Sequence, residues 1–207
     1  MKSGFGFVSL VSVFVIGMLL SGCLFKPVTD STRHFVLAPI STNEPNTTST
    51  QHLPVGIGFV KMPSYLLRDS IAIRDGANEI EYLERAMWGE RLDLCFQRTL
   101  AANLSRLLPS DSVYLTDWGR DRVTLRVLIN VQQFDVDTHG HGTLIAQWRI
   151  IGAGSDLPSE SGQTQLARFG ATPKNDPEII ATTLSELVVE FSRQLAQPIR
   201  KSARSGP

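Results

Sequence analysis

The side chains best suited to nucleophilic or soft-metal chemistry in this chain are two cysteines, Cys23 and Cys95, and four histidines, His34, His52, His139 and His141. His139 and His141 flank Gly140. Two imidazoles on a glycine turn lack the rigidity and the third ligand that a zinc site requires, so the segment reads as a solvated hairpin turn. Cys95 falls beside the apolar stripe of a helical pattern, where a thiol serves as a small buried hydrophobe. No Gly-x-Ser-x-Gly segment exposes a serine, and Gly152-Ala153-Gly154 opens no helix that could cradle a phosphate. Glu79, Glu81, Glu84 and Glu90 cluster around a hairpin and a helix start, positions where carboxylates are solvated rather than paired for glycoside cleavage. The expectation is a chain with no catalytic residue, no metal and no cofactor.

Cys23 is different because of what precedes it. Lys2 is the only charge before Lys26, and Phe5 to Leu20 is an apolar run that ends in Leu20-Ser21-Gly22-Cys23. The run falls short of the ~20 apolar residues a membrane span needs and fits a signal-peptide core. Ser21 and Gly22 let the chain lie extended in a peptidase cleft, and the following thiol can be acylated. Leu-Ser-Gly-Cys resembles the lipobox of bacterial lipoproteins, which implies cleavage between Gly22 and Cys23 and covalent acyl chains on Cys23. Each buried methylene contributes about 0.8 kcal/mol, so two or three such chains hold a protein on a bilayer almost permanently. By the rule for such lipoproteins, Leu24 in place of aspartate favours the periplasmic face of the outer membrane. Residues 1–22 are therefore read as signal peptide and 23–33 as lipid anchor and tether. The ten residues Leu24 to Arg33 reach about 35 Å when extended.

The remaining chain must form the body. The whole chain of 207 residues carries 20 basic and 20 acidic side chains, 42% apolar residues and 8% aromatics, with no cationic excess of the kind that marks nucleic-acid binders. Once Cys23 is acylated, Cys95 has no thiol partner, so no internal disulfide is expected. His34 to Ile40 reads as a first strand with a proline suited to an edge, and a bare edge there would permit a homo-oligomer. Ser41 to Gln51 is a polar loop whose Asn46-Thr47-Thr48 has the form of a glycosylation acceptor but is expected to stay bare. Val55, Ile57 and Phe59 alternate with glycines in a strand expected to bury one face. Ile71 to Arg74 and Glu79 to Leu83 form two short strands about an Asp75-Gly76 turn. Leu92, Phe96, Leu100 and Leu104 give Glu90 to Leu108 the spacing of an amphipathic helix that Pro109 stops.

Val113 to Leu115 adds a short strand. Arg122 to Val136 alternates cleanly, with Val123, Leu125, Val127, Ile129 and Val131 on one face. Thr143 to Ile151 and Gln163 to Phe169 continue the meander. Asp176-Pro177-Glu178 supplies an N-cap, a proline at the first helical position and an acid in the first turn of a final helix. Its stripe runs through Ile180, Leu184, Leu187, Val188, Phe191, Leu195 and Ile199. The predicted class is α+β: a mainly antiparallel sheet with two principal helices packed on one face, in a single domain over residues 34–202, followed by a tail at 203–207.

Several segments then fall in a recognisable order. They are Arg33-His34-Phe35-Val36-Leu37, Val55-Gly56-Ile57-Gly58-Phe59-Val60, Met62-Pro63-Ser64-Tyr65-Leu66, Ile71-Ala72-Ile73-Arg74, Trp88-Gly89-Glu90-Arg91-Leu92, Ala101-Ala102-Asn103-Leu104-Ser105-Arg106-Leu107-Leu108 and Ala146-Gln147-Trp148-Arg149. Together with the lipobox, this succession resembles the ABC-type transport auxiliary lipoprotein family, of PqiC-like membrane-integrity lipoproteins. Phe59 and Lys61, and Met87 before Trp88, depart from the more usual residues of that pattern and blur the subfamily.

The resemblance implies a non-catalytic, outer-membrane-anchored periplasmic accessory subunit of an MCE-type (mammalian cell entry) intermembrane lipid transport system. Its implied partners are an MCE-domain protein of the PqiB type and outer-membrane lipids, with no nucleic acid. The alternative is an LptE-like lipoprotein that assists assembly of an outer-membrane complex. Trp88, Tyr65 and Trp148 are the partner-contact candidates, because aromatics concentrate at interface hot spots; for Trp88, covering the core beside Leu92 is the simpler role. Trp118 carries the same ambiguity.

Replacing Cys23 with Ser is expected to release the protein from the membrane fraction and to abolish metabolic labelling by radioactive palmitate. Membrane retention of the Cys23→Ser protein with unchanged gel mobility would overturn the lipoprotein reading.

Overall fold

The alternation and helical spacings read above appear as eight strands and two helices in the computed structural model, which describes residues 31–41, 54–108, 113–115, 123–152, 154, 158–173 and 176–204. The expected signal peptide, Gly22 and Cys23, the Asn46 acceptor, His52, Pro109 and Trp118 lie outside the described residues. Thr32–Pro207 make one unit. In chain order they form β1 (Arg33–Phe35), β2 (Val55–Lys61), a 3-10 turn (Ser64–Leu67), β3 (Ser70–Asp75), β4 (Glu79–Trp88), α1 (Leu92–Leu107), β5 (Val113–Leu115), β6 (Leu125–Val136), β7 (His141–Gly152), β8 (Pro158–Phe169) and α2 (Pro177–Arg204).

Two sheets result, one in the order β1-β4-β3 and one in the order β5-β2-β6-β7-β8. The long pairings β6–β7, β7–β8 and β3–β4 are antiparallel. Beside them, β2 lies parallel between β5 and β6, and β1 lies parallel to β4. Both helices cover one face of the larger sheet, α1 over β2 and β5 and α2 over β6, β7 and β8. The expected stripes of both helices are buried, and Val127, Leu144, Ile150 and Val55 meet them from the sheet. At the centre Phe96 of α1 lies edge-on to Phe134 of β6, with ring centroids 5.2 Å apart, and 6.0 Å from Phe191 of α2. Such aromatic contacts add to area burial and here join both helices to the sheet.

Asp176 caps α2 as its sequence suggests: Oδ1 accepts the amide of Glu178 at 3.2 Å, and Pro177 needs no amide partner at the first position. The helix runs through Ala203 to Arg204, past the expected boundary at 202, because Ala203 still packs against the core.

Three expectations are corrected by register and packing. The first strand stops at Phe35 rather than Ile40, and Val36 to Ser41 pair with no strand. The Asp-Gly hairpin is longer on its second arm, since β4 continues to Trp88 alongside β1. In β2, the register against β6 shifts between Ile57 and Val60. Three β2 steps there oppose two on β6, the signature of a bulge. Val55 and Ile57 face the core as expected, but Phe59 is turned out, 69% exposed, and Val60 takes the inward position at 6%.

The bulge leaves carbonyls without ladder partners, and α1 supplies them. Gln97, only 4% exposed, donates its side-chain amide to the carbonyls of Ile57 at 3.0 Å and Gly58 at 2.9 Å. Gly58 also leaves room for Leu128, whose Cδ2 would stand 2.7 Å from a Cβ at that position. Replacing Gln97 with Leu keeps approximate volume but orphans both carbonyls. It should lower unfolding free energy by about 1–3 kcal/mol in urea titrations, and an unchanged midpoint would show that the bulge does not depend on Gln97.

Candidate functional site

The place where any N-terminal tether must join the body is built around Val36 to Ser41. This strap is extended yet has no neighbouring strand, and Leu37 and Ile40 are 2% and 6% exposed. Buried amides and carbonyls must find partners, and both helices provide them through side chains. On α1, Cys95 Sγ accepts the amide of Leu37 at 3.1 Å, Thr99 Oγ1 donates to the carbonyl of Leu37 at 3.3 Å, and Asn103 Oδ1 accepts the amide of Ile40 at 2.8 Å. Positions 95, 99 and 103 are four apart, so all three project from one helix face. On α2, Ser185 Oγ accepts the amide of Ala38 at 3.0 Å, and Ser192 Oγ receives the remaining Asn103 Nδ2–H at 3.0 Å. Ser185 and Ser192 in turn donate back to the carbonyls of Ala181 and Val188, both at 2.6 Å.

Just upstream, Arg33 pairs with Asp176 and Glu178 at the start of α2, at 3.3 and 3.0 Å, and lies 4.9 Å over the ring of Phe35. These partners are half exposed, so the pairs steer the entering chain more than they stabilise it. Between the strap and α2 runs an open groove of about 960 Å³, lined by Val36, Pro39, Ala181, Val189 and the charged Glu186 and Arg193.

Cys95 is fully buried, and burial pushes its thiol above the ordinary value, with partial relief from the Leu37 amide. It therefore serves as a core residue and hydrogen-bond acceptor rather than a nucleophile. The histidine turn is likewise structural. Asp137 Oδ1 accepts the amides of His139 and His141, each at 2.8 Å, and Oδ2 lies 3.2 Å from His141 Nδ1. Burial alone would raise the Asp137 carboxyl, but the His141 and His139 amides outweigh it and hold the group below the usual carboxylate range. The turn thus keeps this stabilisation at neutral pH and loses it as acid protonates the carboxylate. Among the described residues no group of three His, Cys, Asp or Glu side chains is placed to hold a metal ion.

The three aromatic candidates do not come together. Trp88 is 5% exposed and belongs to the core cluster that also holds Leu92. Tyr65 sits at the junction of the two sheets. Its hydroxyl donates to Asp135 Oδ2 at 2.7 Å, while Arg74 grips the same carboxylate through Nε at 3.1 Å and Nη2 at 2.6 Å, and Gln133 adds a bond at 2.9 Å. Burial, then the Asp135 hydrogen bond, pushes the Tyr65 phenol above its ordinary value. The Asp135 bond also raises the Arg74 guanidinium. With Asp135 2% exposed, this bidentate pair ties β3 to the end of β6 and makes Tyr65 a structural clasp. Trp148 is half-buried on the helix-facing side of β7, opposite Ile129 and Gly162, and its indole N–H donates to Thr164 Oγ1 at 3.1 Å.

Sequence reasoning did not single out Thr99, Asn103, Ser185 or Ser192. Their signal was polar residues at four- and seven-residue spacing inside otherwise apolar stripes. Asn103→Ala removes both bonds that join the strap to α1 and α2 at Ile40. It should cost about 1–3 kcal/mol and erase hydrogen-exchange protection of the Ile40 amide, whereas retained protection would show that the strap is held by burial alone.

The comparisons with known proteins agree with this architecture. A family model described as ABC-type transport auxiliary lipoprotein component matches residues 35–196. No curated protein matches. Among solved structures, the chain is similar to protein XCC0632 from Xanthomonas campestris, described under DUF330, with a TM-score of 0.67 at 12% identity over 80% of this chain and 93% of that one. It is also similar to a protein described as uncharacterized, with a TM-score of 0.59 at 18% identity over 73% of this chain and 95% of that one. These likenesses show a shared fold. The family match begins at Phe35, includes the strap and the clasp, and ends within α2, and so covers most of the chain: the chain belongs to the ABC-type transport auxiliary lipoprotein family.

Proposed function

We propose that the protein is a lipid-anchored periplasmic subunit held at the outer membrane through Cys23, non-catalytic, and auxiliary to an MCE-type intermembrane lipid transport system that supports envelope integrity. The family match over residues 35–196 carries this reading. The strap supports it physically. A tether drawn from a membrane anchor enters through β1, which is paired to β4, and behind it Val36 to Ser41 are bonded to both helices, so load on the anchor passes from the sheet edge into the core. Cys95, the one cysteine among the described residues, is buried with a raised thiol, which leaves the body suited to docking rather than to covalent catalysis. The partner in this reading is an MCE-domain protein of the PqiB type, and outer-membrane lipid meets the acyl chains.

Affinity purification of the tagged, lipidated protein from mildly solubilised membranes should recover an MCE-domain protein, and its yield should fall sharply when Cys23 is replaced by Ser. Recovery of an outer-membrane β-barrel as the stable partner, with no MCE-domain protein, would overturn this reading in favour of an assembly factor.

A further inference from the structure

The face of the larger sheet turned away from α1 and α2 meets the smaller sheet at the end of β6, where Tyr65 and Arg74 hold Asp135, and is open around Phe59. Register places Lys61 beside Asn130, Asn130 beside Gln147, Gln147 beside Gln163, and Leu128 beside Arg149 on that face. The β2 bulge sets Phe59 among them, 69% exposed, above a shallow depression of about 650 Å³ that these residues line. Beyond Ile57, where the pairing with β5 ends, the ring of Phe59 is left in water, and a buried glutamine, Gln97, holds the bulge that puts it there. Lys61 and Arg149 project from it, and the carboxylate that shares it on β6, Asp135, is already bound by Arg74.

We infer that this face docks onto an anionic phospholipid bilayer, with Phe59 entering the headgroup boundary and Lys61 and Arg149 meeting lipid phosphates. The inference rests on the membrane-anchored reading above. An exposed aromatic flanked by cations is the chemistry of peripheral membrane contact, since the ring gains from burial at the interface while the cations gain from the negative surface. Asn130, Gln147 and Gln163 add neutral donors that suit phosphate oxygens. Two unpaired cations and one ring bind weakly alone. An acyl anchor on Cys23, nine residues before Thr32, raises their effective concentration at the surface, because that tether spans only about 30 Å when extended. A face whose cations Lys61 and Arg149 stand apart from Asp135, itself held by Arg74, fits an anionic bilayer better than it fits a folded protein surface, where charges of both signs are interspersed.

The test uses the lipidated protein carrying Ser161→Cys, labelled beside Arg149 with a polarity-sensitive fluorophore. Cys95 is fully buried and Cys23 is consumed by acylation, so the label is specific. In proteoliposomes containing about 30% phosphatidylglycerol, emission should rise about twofold and shift to the blue relative to pure phosphatidylcholine. The change should be lost in about 0.5 M NaCl, where screening shortens to a few ångströms. Phe59→Ser or Lys61→Glu with Arg149→Glu should remove the response, while Arg85→Glu, on the smaller sheet, should leave it. Equal emission in both lipids would overturn the proposal, as would a response to an added acidic protein with none to phosphatidylglycerol. Failure of the protein to float with either vesicle would instead overturn the lipid anchor itself, so the two readings fail separately.

Discussion

Helix α1 is enclosed by the strap, the sheet and α2, so every polar group it turns inward must be satisfied by a neighbour rather than by water. That constraint organises the molecule. Phe96 supplies the apolar contact to β6 and α2, Gln97 closes the bulge in β2, and Cys95, Thr99 and Asn103 hold the strap. Consecutive residues of one helix thus reach three different neighbours, which is what 100° of rotation per residue provides. An unsatisfied group at any of these sites would cost about 1–3 kcal/mol.

The two sheets are joined by a different kind of contact. Asp135 lies at the end of β6, after a second register shift between Val131 and Gln133, and is buried against β3 by Arg74 and Tyr65. A carboxylate so enclosed is tolerable because four donors converge on it. Removing one partner would leave a buried charge, so the clasp fixes the placement of the smaller sheet more than it adds to net stability. The same bulged strands shape the outer face: one shift turns Phe59 outward, and the other brings Asp135 beneath Arg74.

The apolar periodicity exposes most of the elements. Leu92 to Leu104, Ile180 to Ile199 and Val123 to Val131 alternate or repeat at periods of 3.6 and 2, and all of them bury the expected face. The cap at Asp176 and the turn at Gly140, with φ of 91°, were equally legible because both arise within a few residues. Phe59 was misassigned because a bulge depends on the partner strand's register, which no local pattern encodes. The strap was read as a strand because an extended apolar segment looks alike whether its amides meet a strand or the side chains of two helices.

The roles of the aromatics divided along the same line. Trp88, Tyr65 and Trp148 are three similar residues to a reader of sequence, yet one is core, one is a clasp on a buried carboxylate and one lies over Gly162. What the amino-acid order alone determined was the family and the periodic elements, since each is written in neighbouring residues. What tertiary structure decided was where non-local partners fall: the serines and asparagine that hold the strap, the glutamine beneath the bulge, and the cationic face around Phe59. Those pairings join residues 40 to 150 positions apart, about the span that only a closed core brings within hydrogen-bonding distance.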